Sequence, residues 1–566
     1  MKYIFKIFIL FIGISLGCTS CSDYLDEKPD DELTLEMVFN NKIKTEQWLA
    51  GVYAGIPDTY TMYLKNIEPL GDDVIPSVQW EGYGWDIISK IKGNWNPNTA
   101  WNTNFWTDLP KRIRAGYILI ENVKALPDQY VTEEEVGYMK AETRFLIAYY
   151  NYLMLNYWGA IPLQKGIINV EAPVNEALLG QTPYDEVVSW LDKEMKEASQ
   201  ALPASYSDSR KAGRITSVSC LAIRARMLLF AASPLVNGND AYKDYVNNKG
   251  EQLFNPTYDA SKWVRATQAC KEAITLAESS GYELYKELNS DGSIDPFMSY
   301  QNMLFTTPPN GNKELLLSRP FYNGYWTYDR SSNPRSTSGN GGTSATQSLV
   351  DAFFMSNGLP AIINYNSDGM PNINTASGYK EDGFTATVDS RKTKWKEGEK
   401  DANANNTINS VAPKNIFNMY YNREPRFYIS IRYNESWHRV GNKYVNFLSG
   451  QADGGPTRDA PQNGYLLRKK VHPDHKSTAT TVDPNRPIVI ARLGELYLNY
   501  IEALNESNPG HSDILLYLNK IRERAGIPTY GVGTGQIPVP SDMKDAIRRE
   551  RRVELCCEGG IRFDDI

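Results

Sequence analysis

The chemistry most legible in this chain is ring stacking. Five of its twelve tryptophans, Trp80, Trp85, Trp95, Trp101 and Trp106, fall within residues 80–106. The first three lie with Tyr83 in a stretch that has no helical period, QWEGYGWDIISKIKGNWNPN. An indole or phenol held in a loop offers a flat apolar face and a polar edge. A sugar ring is its complement, with C–H groups on the face and hydroxyls around the rim. By analogy with base stacking, each such contact contributes on the order of 1–3 kcal/mol. Asp72 and Asp73 precede the stretch and are candidates to pair with rim hydroxyls. A second cluster, RPFYNGYWTYDR at 319–330, carries Tyr325, Trp326 and Tyr328. A strand there would put Trp326 and Tyr328 on one face. Burial against helices is the competing fate of both segments. Trp101 and Trp106 lead into a helix and are read as structural.

Other chemistries find less support. There are four histidines, His438, His472, His475 and His511. His472 and His475 flank Pro473 and Asp474 in a loop, short of the convergent set that zinc requires. Asn364, Asn366, Asp368 and Gly369 resemble the start of a calcium loop, but Thr375 stands where the bidentate Glu belongs; an Asx–Gly turn explains them as well. The sequence has no phosphate-binding Gly-rich loop, nucleophile elbow or HExxH pair. A glycosidase needs two facing carboxylates. Asp72 and Asp73 are neighbours and point opposite ways on an extended segment. No cofactor and no metal is expected.

The 60 Lys+Arg against 67 Asp+Glu give a net charge of −7, and 41% of residues are apolar. This is an ordinary folded composition, too long for one simple core, with no basic bias toward nucleic acid. Lys2 and Lys6 precede the apolar run Ile7–Leu16, too short to span a bilayer and placed like a signal-peptide core. Cys18 and Cys21 each follow a small residue, as in a bacterial lipoprotein box. Cys21 is the favoured lipidation site because Ser22, Asp23, Asp26 and Glu27 follow it; Cys18 is the alternative, and plain secretion a third reading. Loss of Lys2 and Lys6 with the leader takes 60 basic residues to 58 and the net charge to −9. The anchor would then be lipid alone. Cys220 and Cys270 read as small core residues, and adjacent Cys556 and Cys557 do not form a disulfide framework.

The elements that must position the aromatic loops are helices. Thr34 caps one through about Ile56; others follow at Trp106–Leu126 and from the Thr132/Glu135 capping box to about Tyr157, stopped by Gly159 and Pro162. Thr182, Pro183 and Asp185 start another. Stripes at Val218–Ala232 and Trp263–Ala277, then Ile488–Asn505, Ser512–Ala525 and Ser541–Glu558, complete the set. Residues 1–20 read as signal peptide, 21–33 as a tether, 34–282 as a helical region, 283–485 as a loop-rich insertion with short strands such as LLLSRPF and RFYISIRY, and 486–566 as a second helical region. Paired helices broken by one irregular insertion suggest a helical-hairpin array, although the tetratricopeptide consensus is not literally present.

Eight segments in order resemble the SusD/RagB family of Bacteroidetes surface lipoproteins. They include AETRFLIAYYNYLMLNYWGAIPL (141–163), GRITSVSCLAIRARMLLFAASPLVNG (213–238), SATQSLVDAFFMSNGLP (344–360), YNREPRFYISI (421–431), IARLGELYLNYIEALNE (490–506) and IRRERRVELCCEGGIRFDDI (547–566). The resemblance implies a mainly α, tetratricopeptide-like scaffold with the insertion beside it. It also implies a lipid-anchored protein on the exterior of the outer membrane that binds glycan, does no chemistry, and caps a SusC-like TonB-dependent transporter. In the family, glycan contacts come from the N-terminal loop and the mid-chain insertion. The alternatives are a surface glycoside hydrolase and a member binding peptide or another nutrient. Family chains usually continue some tens of residues beyond the motif in which Ile566 falls, so the closing helix is expected to lack part of its packing. Arg224, Arg226, Arg549, Arg551 and Arg552, with Glu550 and Glu554, read as buried ion pairs that fix helix register rather than as an anion site.

Overall fold

The computed structural model describes residues 33–60, 67–96, 98–99, 104–169, 171–319, 325–398, 408–475 and 486–566. Cys18, Cys21 and Trp101 lie outside the described residues, as do the side chains of Tyr325 and Trp326.

Among the described residues, nine helices build the scaffold: α1 (Lys42–Tyr53), α2 (Phe105–Asn122), α3 (Glu133–Trp158), α4 (Tyr184–Gln200), α5 (Ser217–Ala232), α6 (Ser261–Ser279), α7 (Leu493–Ser507), α8 (Ser512–Ala525) and α9 (Met543–Leu555). Each packs on the next, α1 on α2 through α5 on α6; α6 then packs on α7, and α7 on α8 and α9. The array therefore runs straight from α6 to α7, and the chain between them folds alongside as short helices and two-stranded ladders. The fold is mainly α, an array of helical hairpins, as the sequence implied.

Local chemistry sets the boundaries. Thr132 accepts from the Glu135 amide at 3.1 Å, but the Glu135 carboxylate turns to Lys211 and Arg214 instead of closing the box. The full reciprocal box occurs at Thr216 and Ser219, which start α5. The helix expected from Thr34 to Ile56 is broken: Leu35–Phe39 ends, and Asn41 restarts the chain as α1 by accepting from the Lys44 amide at 3.1 Å. An Asn side chain offers the backbone that alternative. Ile488–Arg492, expected as helix, is a strand (β2) paired with Leu315–Arg319 (β1), the LLLSR run. Its β-branched residues suit either state, and a partner strand decides. Within RFYISIRY only Ile431–Arg432 is strand; Pro425 at the first turn starts a helix, Pro425–Ser430.

The interior is tight and aromatic. Tyr149, Tyr150 and Tyr152 of α3 are buried, and the Tyr150 hydroxyl donates to Val52 O at 2.5 Å. A Cβ on Gly116 would lie 2.9 Å from Ile147, so α2 and α3 touch there through a glycine.

The arginines fix register. Arg226 of α5 makes a two-pronged contact with Glu495 of α7, 2.6 Å on each arm. Arg224 holds Asp192 of α4 (2.5 Å) and Glu272 of α6 (2.9 Å). Arg551 reaches Asp565, and Arg552 reaches Asp73, both within 2.8 Å. Deeper still lies a charge-balanced network. Its cations are Arg426, Lys469, Arg492, Arg522 and Arg524; its carboxylates are Glu314, Glu424, Glu550, Glu554 and Glu558. Its members come from α8, α9 and the turn after it, the N-cap of α7 and the segment between α6 and α7. Such a buried array specifies one arrangement, because any slip leaves a charge unpaired.

Candidate functional site

The aromatic loop is carried between the scaffold and the mid-chain segment. Val74–Pro76 pairs antiparallel with Thr343–Ala345, and the Ser77 amide donates to Gly342 O at 2.7 Å. A 3-10 turn, Val78–Tyr83, follows and closes at Gly84, whose φ of 81° suits glycine. A short helix, Ile87–Ile91, and the turn bearing Trp95 complete the loop. Lys92 ties the two turns together through Glu81 at 2.7 Å.

The loop sorts its aromatics into two kinds. Trp80 and Trp85 turn inward and pack on each other with ring centroids 4.9 Å apart. Trp80 donates to Asp459 at 3.3 Å, and a Cβ on Gly342 would come within 2.4 Å of its ring. Their faces meet protein, so in this structure they brace the loop. Tyr83 and Trp95 point outward, 63% and 56% exposed. Arg458 lies 5.0 Å from the centre of the Tyr83 ring and donates to its hydroxyl at 2.6 Å. That guanidinium orients the phenol and sets hydrogen-bond donors beside an exposed face.

Asp72 and Asp73 are not brought to that face. Asp72 is held by Arg562 at 2.5 and 2.8 Å and by Arg552 at 3.2 Å. Burial would raise its pKa, but the two arginines pull it below the usual carboxylate range. Asp73 is buried against Arg552; burial dominates and pushes its pKa up. Both acids anchor the loop to the C-terminal helices.

The 319–330 cluster departs from its expected geometry. Tyr325–Ser332 is a helix, not a strand, so residues 326 and 328 do not share a face. Tyr328 is fully buried and its hydroxyl donates to Lys469 O at 2.8 Å. The residue types suited either periodicity; packing onto Tyr60 and Lys470 settled it.

Sequence reasoning missed Arg458 and Asp459, which carry no aromatic signal of their own and become legible only once the chain folds them against the loop. It also read Trp106 as structural, yet Trp106 and Trp158 form an exposed pair 5.5 Å apart where α2 begins and α3 ends. Asn364 sits in the first strand of a hairpin, Ile362–Tyr365 with Pro371–Ile373, and Asn366–Gly369 form its turn. His472 packs edge-on against Phe305, and His475 lies 3.7 Å from Asp329. Cys220, Cys270, Cys556 and Cys557 are buried free thiols.

Two family models match the chain. Residues 313–566 match the one described as the SusD family, and residues 23–229 match one described as starch-binding associating with outer membrane. The chain belongs to the SusD/RagB family. The solved structure of BT4246 aligns with a TM-score of 0.72 at 26% identity, covering 92% of this chain and 88% of that one. A SusD-like protein from Bacteroides fragilis aligns with a TM-score of 0.67 at 20% identity, over 95% and 88% of the two chains. The curated SusD-like protein P25 of Formosa agariphila is 20% identical over 228 residues, 39% of this SusD-like chain and 42% of that protein. The match thus spans less than half of P25. A structure titled a laminarin-binding SusD-like protein shares the fold at a TM-score of 0.52 and 18% identity. Carbohydrate binding and outer-membrane association are the properties these family and neighbour names carry.

Proposed function

We propose that this SusD-like chain is a glycan-binding lipoprotein, anchored by lipid on Cys21 to the outer membrane and facing the cell exterior. On this reading residues 1–20 are removed and 21–33 form a polar tether. Tyr83 and Trp95 stack on sugar rings, Arg458 hydrogen-bonds rim hydroxyls, and the captured oligosaccharide passes to a SusC-like TonB-dependent transporter. The observation that carries the reading is the outward pair Tyr83 and Trp95 on a loop braced from within by Trp80, Trp85 and Asp459. A rigid loop loses little entropy on binding, which favours recognition by a small platform. A shallow face buries less of its ligand than a closed pocket, so modest affinity is expected. Trp326 and Tyr325 remain candidates for the same surface.

Calorimetric titration with soluble glucans, laminarin and starch oligosaccharides first, tests the proposal. Heat of binding that disappears in Trp95→Ala supports it. Absence of binding to any glycan in a broad panel by folded protein refutes it and moves weight to a peptide or other nutrient ligand. The protein is proposed to do no chemistry; release of reducing ends from a bound glycan would identify a hydrolase instead.

A further inference from the structure

Away from the aromatic loop, the segment between α6 and α7 encloses a cavity of about 20 Å³. Roughly 10–15 Å³ accommodates one water, so this space suits one water-sized or monatomic species and excludes a sugar ring. Its wall is strongly cationic. Arg432, Arg439, Arg468 and Lys470 line it, against one carboxylate, Glu397.

Most of these charges have counterparts. Glu397 contacts both Arg439 and Arg468. Arg439 also contacts Asp474, and Lys470 pairs with Glu68 at 3.1 Å. Among the described residues four cations face four carboxylates, Glu397, Asp474, Glu68 and Asp453, and the cation with no direct ion pair is Arg432. It is 4% exposed. Among the described residues it makes no ion pair, and its one hydrogen bond runs from Nη1 to Trp437 O at 3.2 Å. Asp453 supplies the main opposing field, but its carboxylate accepts from the Ser336 amide and hydroxyl and from the Asn446 amide. Burial pushes the Arg432 pKa down to about 10.

The adjoining histidine adds no charge of its own. Burial, with Arg432 next, pushes the His438 pKa well down, so the ring is neutral at pH 7. Its Nδ1 accepts from the Gly441 amide at 2.9 Å, which leaves the proton on Nε2, 3.3 Å from Asn333 Oδ1. An isolated buried cation is costly unless something offsets it.

We propose that this cavity binds one monatomic anion, chloride in ordinary saline, held chiefly by Arg432. The ion supplies the direct counter-charge that Arg432 lacks and so stabilises the segment that packs beside the helical array. No residue of the aromatic loop lines the cavity, and the inference does not depend on which ligand the exposed face takes.

Bromide replaces chloride and scatters anomalously. Crystals of the wild-type protein soaked in sodium bromide are expected to show a peak in this cavity beside Arg432. In parallel, the melting temperature is measured as chloride replaces gluconate at constant ionic strength. It should rise with chloride in the wild type, as expected for a ligand bound by the folded state alone, and stay flat in Arg432→Gln. A cavity without a bromide peak, or equal chloride dependence in wild type and Arg432→Gln, overturns the proposal and leaves the space to water. Should Arg432→Gln fail to fold, the bromide peak in the wild type alone decides.

Discussion

Replacing Glu554 with Gln should be among the most damaging single changes in this chain. The Glu554 carboxylate is fully buried and contacts three guanidiniums: Arg426 and Arg492 at 2.9 Å each, and Arg524. The network around it holds five cations and five carboxylates. Neutralising Glu554 leaves one uncompensated positive charge in the interior, which costs about 3–5 kcal/mol. Urea unfolding with the slope held fixed reads that loss as a lower midpoint. A second variant, Arg524→Met with Glu554→Gln, restores neutrality and should recover part of the loss. The same group makes a pH prediction. Burial acts to raise its pKa, but Arg524, Arg492 and Arg426 hold it far below the ordinary value. A depressed carboxylate contributes stability that is present above its unfolded pKa, about 4.3, and is lost as pH falls below it. Wild-type stability should therefore drop from about pH 4.5 downward, more steeply than that of Glu554→Gln. Additive losses in the double variant, or a Glu554→Gln cost under about 1 kcal/mol, would refute the network argument.

Other outcomes follow from the packing. Arg226→Met removes the bridge to Glu495 and leaves that carboxylate buried, so a loss of about 3–5 kcal/mol is expected in the same urea assay. Trp80→Ala should cost about 3–5 kcal/mol of stability, because the ring fills space between Trp85, Gly342 and Asp459. Gly342→Ala should also destabilise, since its Cβ would meet the Trp80 ring at 2.4 Å; an unchanged melting temperature would show that the loop gives way. Trp95→Ala should leave the melting temperature nearly unchanged and weaken glycan binding roughly 5- to 150-fold, the equivalent of about 1–3 kcal/mol.

The helices were readable from sequence because caps and stripes are local. Thr132, Thr216 and the Val218–Ala232 stripe mark their elements without reference to the rest of the chain. The family segments then implied the array. What sequence could not decide was which of two periodicities a short apolar run adopts. Ile488–Arg492 became a strand because Leu315–Arg319 lies alongside, and Tyr325–Ser332 became a helix where alternation suggested a strand. The candidate site was half legible. Aromatic density singled out the loop, although Ile87–Ile91 within it is helical. Which rings face out depends on partners hundreds of residues away: Asp459 and Gly342 draw Trp80 inward, and Arg458 props Tyr83 at the surface. Asp72 and Asp73 looked like free hydroxyl partners because Arg552 and Arg562 lie at the far end of the chain.

The central claim is that outward aromatics on this loop capture glycan. Native affinity electrophoresis in gels containing plant and host polysaccharides tests it most directly, comparing wild type with Tyr83→Ala and Trp95→Ala. The account predicts that one polysaccharide retards the wild-type protein and that the retardation falls sharply in Trp95→Ala and in Tyr83→Ala. Undiminished retardation in the double variant, with folding intact, would contradict it and place the glycan surface elsewhere.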